Sequence, residues 1–399
     1  MRDLKLMNIR RQHEAHADEY EQAALSVLRS GTYIGGAEVS AFEEEFAAYE
    51  GAAYGVACGN GTDALVIALR ALRIGPGDEV VTTAATFYAT AESIAAVGAK
   101  PVFVDILPDT YCMDPALIES AITPRTRAVL PVHIYGQSCD MDALRSVCKK
   151  HGLPLIMDCA QSTGTRFRDS RKNTLGDVSC FSFFPTKNLG GAGDGGMILT
   201  DDEALARRCR ALRAHGSGRD GLLSARSEYA ASGRPVPASM PCGETKYFNY
   251  LVGYNSRLDA IQAAILRKKL AHLENWIDLR RSNAEYYKEA FRNTSLILPA
   301  ETPNGRHSYY LFAVRHPRAK ALMELIRSRG VQCATYYPVP LHLQGAFSEY
   351  GYKKGDLPNT EALSETSFVL PVYPELFAEE RLYVAETVLE CLAEAEENA

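Results

Sequence analysis

The sequence has 399 residues, of which 46% are hydrophobic and 23% are charged, and its formal net charge at pH 7 is −6. These ordinary globular values predict two or three domains, and the mild acidity argues against a dedicated nucleic-acid-binding protein, which would carry a basic patch. Because no apolar run approaches the ~20 residues of a membrane-spanning helix, and the N-terminus lacks the apolar stretch of a signal peptide, we expect a cytoplasmic protein with no membrane partner.

Alternating strand and helix patterns fill the first half of the chain. Two helices are predicted before Gly55, separated by the glycine-rich turn SGTYIGG. From Gly55 onward, short β-branched runs alternate with helical patterns, and the strands include GDEVVTTAA, PVFVDI, AVLPVHIYG and LPLIMDCA. This alternation predicts an α/β fold with a largely parallel sheet and helices on both of its faces.

The second half of the chain has a different pattern. After the strand GGMILT and a helix, residues 217–245 are polar and rich in Gly, Ser and Pro, so we expect a long functional or mobile loop, or a surface insertion without a role. A long helical pattern follows over residues 256–292, then a strand, a helix, the strand VQCATYY and a final helix over residues 376–395. We therefore expect a large domain over residues 1–255, and a linking helix with a smaller C-terminal domain over residues 256–399.

The ten cysteines are scattered along the chain and never form a CxxC pair. Most stand beside apolar residues, as in YGVACGN and VSCFSFF, so the simplest expectation is reduced thiols within the core. Because the ligand spacing of a zinc site is missing, we expect no metal.

Three segments near predicted strand ends carry residues suited to chemistry. The turn GNGT opens a helix whose free N–H groups suit a phosphate, although a structural turn capped by Thr62 or Asp63 is an equal alternative. Asp158 ends an apolar strand, where a carboxylate needs a cationic or hydrogen-bonding partner. That partner could be a ligand, an Arg or Lys of the protein itself, or the N-terminus of a helix that Asp158 caps. Lys187 stands in a tight turn between two apolar strands, a setting that suits a Schiff-base nucleophile but that an ordinary lysine also fits.

Together, these segments supply the three fixtures that hold pyridoxal phosphate (PLP): a phosphate cradle, a carboxylate for the pyridinium nitrogen and a Schiff-base lysine. The chain also contains the motifs GNGTDAL, TFYATAESI, GAKPVFVDI, PVHIYGQSCDMDAL, DCAQS, FSFFPTKNLGGAGDGG, GYNSRLDAIQAAIL and YPVPLHLQ. In these motifs, over almost its whole length, it resembles the DegT/DnrJ/EryC1/StrS sugar aminotransferases. The resemblance implies PLP-dependent transferase fold type I, with a mostly parallel seven-stranded sheet in the large domain and a smaller C-terminal α+β domain.

The resemblance also implies roles for four residues at the cofactor ring. Lys187 would form the Schiff base with PLP. Asp158 would pair with the pyridinium nitrogen and keep it protonated. Gln161 would hydrogen-bond the phenolic oxygen, and Phe87 would stack on the ring face.

The phosphate of the cofactor would be held by four further residues. Gly61 and Thr62 would donate backbone N–H groups, and Ser182 would add its hydroxyl. Asn255, in GYNSR, would reach the phosphate from a neighbouring subunit. The resemblance therefore implies a homodimer with a shared active site.

The expected reaction is transamination, with glutamate as the usual amino donor and a nucleotide-linked ketosugar as the acceptor, giving an aminosugar for glycan or natural-product biosynthesis. Two alternatives use the same fold: a PLP-dependent sugar dehydratase, which usually lacks the Schiff-base lysine, and a non-catalytic regulator. The motif GYNSRLD slightly favours a 3-keto acceptor. The identity of the nucleotide sugar, amination at C3 or C4, and the stereochemistry stay open.

Five residues are candidates for contact with the substrate. Phe184 and Tyr336 stand where many family members have tyrosine and histidine, so both departures are expected to affect substrate preference. Tyr33 is expected to border the pocket. His215 and His342 could line the sugar site, with ordinary capping or surface roles as the alternative.

Overall fold

The computed structural model describes residues 3–241, 243 and 247–397. Up to residue 200 the helices are α1 (Ile9–Ala15), α2 (Ala17–Ser30), α3 (Ala37–Glu50), α4 (Gly61–Ala71), α5 (Tyr88–Ala96), α6 (Ile118–Ala121) and α7 (Met141–His151). The strands of this part are β1 (Tyr54–Cys58), β2 (Glu79–Thr83), β3 (Lys100–Val104), β4 (Thr126–Leu130), β5 (Ile156–Asp158), β6 (Arg166–Phe167), β7 (Val178–Ser182) and β8 (Gly196–Thr200).

After residue 200 the chain is mostly helical. The helices are α8 (Glu203–Arg213), α9 (Gly218–Ala231), α10 (Ala260–Ala290), α11 (Ala319–Ser328), α12 (Pro358–Thr366) and α13 (Ala378–Glu397). The strands are β9 (Gly305–Arg306), β10 (Phe312–Arg315) and β11 (Ser367–Leu370). Among the helices that the structure describes, none is long and apolar enough to cross a membrane.

A mostly parallel sheet of seven strands forms the centre of the molecule. Four strands lie in the order β1-β8-β7-β5 and three in the order β3-β2-β4. Parallel bridges from Val129 to Leu155 and from Val132 to Asp158 join the two groups through β4 and β5. Only β8 runs antiparallel to its neighbours. The predicted fold class is confirmed, and the parallel strands bring their carboxyl ends to one edge, where α/β sheets bind ligands.

Local signals explain where several of these helices begin and end. Gly31 and Gly51 follow α2 and α3 with φ values of 70° and 88°, a left-handed conformation that glycine adopts without a steric penalty. Asn60 begins α4 because its side chain accepts a hydrogen bond of 2.8 Å from the N–H of Asp63. The predicted break in the SGTYIGG turn is therefore confirmed.

Two predicted elements were wrong. Residues 218–231, predicted as loop, form α9, because Leu222 and Ala225 recur at helical spacing and are buried although the segment is rich in small residues. The segment VQCATYY is not a strand, because its bridges are isolated: Val331 pairs with Leu4 and Ala334 with Val369. Part of the predicted 217–245 loop, residues 242, 244 and 245, lies outside the described residues.

Buried apolar residues fill the interior in separate groups. One packs one face of the central sheet with α2, α3, α7 and the first half of α10, including Trp276 and Ile277. A second packs the opposite face of the sheet with α4 and α8. A third joins Leu4 to residues 284–395, and Tyr287 from the second half of α10 lies within it. The long helix therefore contributes to the first and the third of these groups, while the domain division at residue 255 stays a prediction. The nine described cysteines are free and buried, and Cys242 lies outside the described residues.

Candidate active site

Asp158 is a buried carboxylate at the carboxyl end of β5. Only 4% of the residue is exposed, and Thr90 Oγ1 and the N–H of Ala160 donate hydrogen bonds of 2.8 Å and 3.0 Å to its two oxygens. Burial raises the pKa of Asp158, and these two bonds and the charge of Lys187 oppose that rise without cancelling it. The site therefore favours binding of a cationic N–H group beside this carboxylate.

Lys187 follows β7 in a tight turn and stands close enough to Asp158 for their charges to interact. Its backbone N–H donates to the carbonyl of Phe184 at 2.8 Å, which closes the turn. Its Nζ lies 4.4 Å from the centre of the Tyr310 ring. Among the residues that the structure describes, no hydrogen bond or ion pair holds this amine, so the half-buried side chain is free to react.

Gln161 is fixed on the turn after β5. Its Oε1 accepts a 2.8 Å hydrogen bond from the N–H of Tyr135, and its Nε2 donates at 3.2 Å to the hydroxyl of Tyr337. The ring of Phe87 lies 5.5 Å from the ring of Tyr337 and remains 52% exposed. An aromatic face and an amide therefore border the space next to Asp158.

The N-terminus of α4 lies against the end of β7. A side chain at Gly61 would place its Cβ 2.7 Å from the Cβ of Ser182, so only glycine fits this approach. The backbone N–H groups of Gly61 and Thr62 have no acceptor within the described part of the chain. Free N–H groups at a helix N-terminus beside a serine hydroxyl form a cradle suited to a phosphate.

Asn255 lies on the surface next to this cradle. Its neighbour Ser256 accepts a hydrogen bond of 3.0 Å from the N–H of Gly59 and donates one of 2.6 Å to Asp63. The backbone of Asn255 bridges to Ala214, and its side chain is exposed. The predicted contact from a neighbouring subunit stays a prediction.

The five predicted substrate residues fall into two groups. Tyr33, Phe184 and His215 are exposed, and Tyr336 is half-buried. The side chain of His342, by contrast, is fully buried, with its Nε2 3.0 Å from Glu361. A ring without solvent access does not line an open pocket, so the structure favours a structural role for His342.

Three residues near the site were missed from the sequence. Thr90 bonds Asp158, Tyr310 contacts the Lys187 amine and Tyr337 bonds Gln161. Thr90 stands inside the quoted motif TFYATAESI, three residues after Phe87, and this spacing on one helix face was its available signal. Tyr337 begins the quoted motif YPVPLHLQ, which was its available signal, whereas Tyr310 comes from a distant segment and had no local signal.

His16, Glu19 and His272 are the one group of three possible metal ligands within the described residues, and their ligand atoms lie within 4.8 Å of one another. The Nε2 of His272 lies 2.8 Å from Glu19, and the rings of His16 and His272 are tilted by 32° with their centroids 4.1 Å apart. The three side chains thus contact each other.

The chain is similar to known proteins over almost its whole length. A model of the DegT/DnrJ/EryC1/StrS aminotransferase family matches residues 14–389. The chain is 41% identical over 391 residues to the pleiotropic regulatory protein of Geobacillus stearothermophilus, covering 97% of this chain and 98% of the relative. It is 39% identical over 385 residues to the UDP-N-acetyl-3-dehydro-alpha-D-glucosamine 3-aminotransferase of Acidithiobacillus ferrooxidans, covering 96% and 97%.

The fold of this chain is also similar to solved structures. S. venezuelae DesV in complex with a ketimine intermediate superimposes with a TM-score of 0.89 at 39% identity, over 98% of each chain. NtdA from Bacillus subtilis with bound cofactor PMP, the pyridoxamine phosphate form, superimposes with a TM-score of 0.85 at 29% identity, over 98% of this chain and 86% of that chain.

Proposed function

This chain belongs to the DegT/DnrJ/EryC1/StrS aminotransferase family, and from that premise we propose that it moves an amino group from an amino acid, with glutamate as the expected donor, to a ketosugar linked to a nucleotide. The cofactor is PLP, as in the family's structures with bound cofactor. The observation that carries the proposal is that the buried carboxylate of Asp158 lies near the amine of Lys187, which has no hydrogen bond to any residue that the structure describes.

The residues present fit this cofactor. The N–H groups of Gly61 and Thr62 have no acceptor among the described residues, and Ser182 stands beside them, as a phosphate requires. The raised pKa of Asp158 shows that its charge is not fully compensated by the protein, and a protonated ring nitrogen would compensate it. Lys187 would hold the aldehyde carbon, and Gln161 would contact the phenolic oxygen from its fixed position.

When bound, PLP supplies an electron sink for the carbon–hydrogen bond beside the transferred amine. The Nζ of Lys187, in its neutral form, accepts the α-proton of the donor and carries it across one face of the site. A single base suffices because no hydrogen bond from a described residue restrains this amine. Asp158 contributes by holding a proton on the ring nitrogen, and the hydrogen bond from Thr90 fixes its orientation.

The acceptor is proposed from the relatives and from the exposed residues near the site. The relative from Acidithiobacillus ferrooxidans is named for a UDP-linked 3-keto sugar, in line with the 3-keto preference expected from GYNSRLD. Phe184, directly before the Lys187 turn, is 49% exposed and so is accessible to a substrate. We assign Tyr33, Phe184, His215 and Tyr336 to the substrate side of the site.

A homodimer is part of the proposal. Val252 and Tyr254, in the segment that carries Asn255, are 84% and 37% exposed, and Phe87 is 52% exposed; a second subunit would cover such exposed apolar side chains. Asn255, within the same exposed segment, would then face the phosphate cradle of the partner. A cytoplasmic location stays a prediction.

A turnover assay tests the proposal. The protein is incubated with PLP, glutamate and either a UDP- or a dTDP-linked 3-keto sugar, with the 4-keto isomers as controls, and products are identified by mass spectrometry. We expect a 3-amino sugar and one 2-oxoglutarate per amine formed. A nitrogen-free deoxy product would instead establish the dehydratase alternative, and no product from any acceptor would favour the regulator alternative that the name of one relative raises.

A further inference from the structure

A second lysine, Lys269, is buried inside the protein on α10. Only 5% of the residue is exposed. Its Nζ donates a 2.8 Å hydrogen bond to the carbonyl of Gly190 and a 3.2 Å bond to Oε1 of Gln12 in α1, and it lies 5.4 Å from the ring centre of Tyr20. Burying an ammonium group is costly unless it is well partnered, so a buried lysine calls for an explanation.

The surroundings of Lys269 do not supply a full counter-charge. Burial lowers its pKa to about 8, and Glu375 is the one acidic group that opposes this shift. Among the described residues no carboxylate forms an ion pair with Nζ, and the charge of His16 interacts unfavourably with that of Lys269. The partners of the amine are therefore a backbone carbonyl and an amide, the arrangement of a structural tether rather than of a salt bridge.

The carbonyl that Lys269 binds belongs to the loop that carries Lys187. Gly190 comes three residues after Lys187, and a Cβ at Gly190 would lie 2.3 Å from the carbonyl oxygen of Pro185, so the loop folds tightly back on itself. Asn188 in the same loop donates to the carbonyl of Thr163 at 3.3 Å. A shift of the Gly190 carbonyl would therefore be passed to the backbone of Lys187 through a short and crowded chain segment.

A second side chain of α10 holds the same loop. Oε1 of Gln262 accepts a 2.8 Å hydrogen bond from the N–H of Ala192. Gln262 and Lys269 stand seven residues apart, two helical turns along one face, so α10 contacts the loop at two points in register. Gln262 accepts a hydrogen bond from a backbone N–H of the loop, and Lys269 donates one to a backbone carbonyl of the loop.

From these contacts we propose that Lys269 is a positioning residue for the reaction: its ammonium group ties the loop that carries Lys187 to α10 and α1, and so fixes where the reacting amine stands. The inference rests on the proposed function of Lys187. Misplacing a reacting group by about 1 Å can cost about 10²-fold in rate, so a residue that holds the Lys187 loop in place affects turnover without touching the substrate.

The test begins with the protein free of cofactor, where hydrogen exchange reports the loop directly. Lys269→Met removes the tether, and Lys268→Met, at the exposed neighbouring lysine, is the matched control. We expect amides of residues 188–195 to exchange about tenfold faster in Lys269→Met and unchanged in Lys268→Met. Equal exchange in Lys269→Met and wild type would overturn the proposal.

The same variants are then loaded with PLP. We expect Lys269→Met to lower kcat about tenfold, with the KM for glutamate within about twofold, and to shift the pH at which the absorbance band of the bound cofactor changes. Lys269→Arg, which retains a cationic donor, should recover part of kcat. An unchanged band and kcat in Lys269→Met would contradict the proposal. Absence of any cofactor band in wild type would instead contradict the proposed function.

Should Lys269→Met fail to fold, Lys269→Gln replaces it, because the shorter amide keeps polarity at the site but does not reach the Gly190 carbonyl. Thermal unfolding of the cofactor-free variants identifies that case. Faster exchange at residues 188–195 in folded Lys269→Gln would support the tether, and wild-type exchange there would overturn it.

Discussion

The floor of the active site and its rim are built in different ways. The floor consists of Asp158, Gln161 and Asn188, which are buried and each accept or donate at least two hydrogen bonds. The rim consists of residues with exposed side chains: Tyr33, Phe87, Phe184, His215 and Asn255. A single chain therefore fixes the groups that act on the cofactor, whereas the rim is left open to a substrate and a second subunit.

Lys187 combines features of both regions. Its backbone is held in the turn by the carbonyl of Phe184, whereas its amine contacts the ring of Tyr310 and has no hydrogen bond to any described residue. An amine that must bind a cofactor and then leave it needs this combination, because a strong hydrogen bond would have to be broken in each turnover.

From this comparison of floor and rim, we expect the largest loss of turnover when Lys187 is replaced. Lys187→Ala should lower turnover by about 10³–10⁴-fold, because the proton carrier is removed, while the fold and bound cofactor are retained through the floor. Steady-state kinetics and the absorbance of the purified variant measure the two properties. Activity close to that of wild type would show that another group moves the proton.

The next largest effect is expected at Asp158. Asp158→Asn keeps the shape of the side chain and the bond from Thr90 but removes the negative charge that the ring nitrogen requires. We expect kcat to fall about 10²–10³-fold, with a smaller change in KM. A normal kcat in Asp158→Asn would show that the negative charge of Asp158 does not contribute to turnover.

Some features of this arrangement can be predicted from the sequence and others cannot. The difference lies in how far apart along the chain the interacting residues are. Runs of β-branched and apolar residues predicted the strands of the sheet, because strand patterns are local signals. The carboxylate that follows one of these runs, Asp158, lies at the end of a strand as predicted. Thr90 and Tyr337 were missed since their partners, Asp158 and Gln161, lie 68 and 176 residues away. Only the folded topology brings such pairs together.

Local sequence features misled the interpretation in two places, once through composition and once through a motif. The Gly- and Ser-rich segment over residues 218–231 forms a helix because packing of Leu222 and Ala225 outweighs weak helix propensity. His342 was a substrate candidate from its motif, but its partner Glu361 stands 19 residues away and places the ring in the interior.

The pH dependence of stability tests the buried carboxylate of Glu50, which belongs to the interior of the protein and not to the exposed rim. Glu50 is buried, accepts a 3.1 Å bond from the N–H of Gly164, and has its pKa raised from 4.5 to about 8 by burial. The folded protein therefore binds more protons than the unfolded chain between these values, and this group's contribution to stability falls as pH rises from 4.5 to 8. Thermal unfolding of Glu50→Gln should show a weaker decline of Tm over that range than wild type. Parallel curves for the two proteins would contradict this assignment.

The smallest effect on function is expected on the rim, as a change in the affinity for PLP. Asn255→Ala should weaken PLP binding about tenfold, the loss of one hydrogen bond to a charged group, and leave the Tm of the cofactor-free protein unchanged. Asn293→Ala, at another exposed asparagine, is the control and should bind PLP as wild type does. Titration of cofactor-free protein with PLP distinguishes them, and equal affinity for both variants would remove Asn255 from the phosphate site.

The half-reaction with glutamate tests the central claim most directly. Wild-type protein loaded with PLP is mixed with glutamate in the absence of a ketosugar, and the absorbance and the released 2-oxoglutarate are followed, with Lys187→Ala in parallel. The account predicts loss of the cofactor's visible band and about one 2-oxoglutarate per subunit in wild type, and neither in the variant. A wild-type spectrum that does not respond to glutamate or to any other amino donor would contradict it.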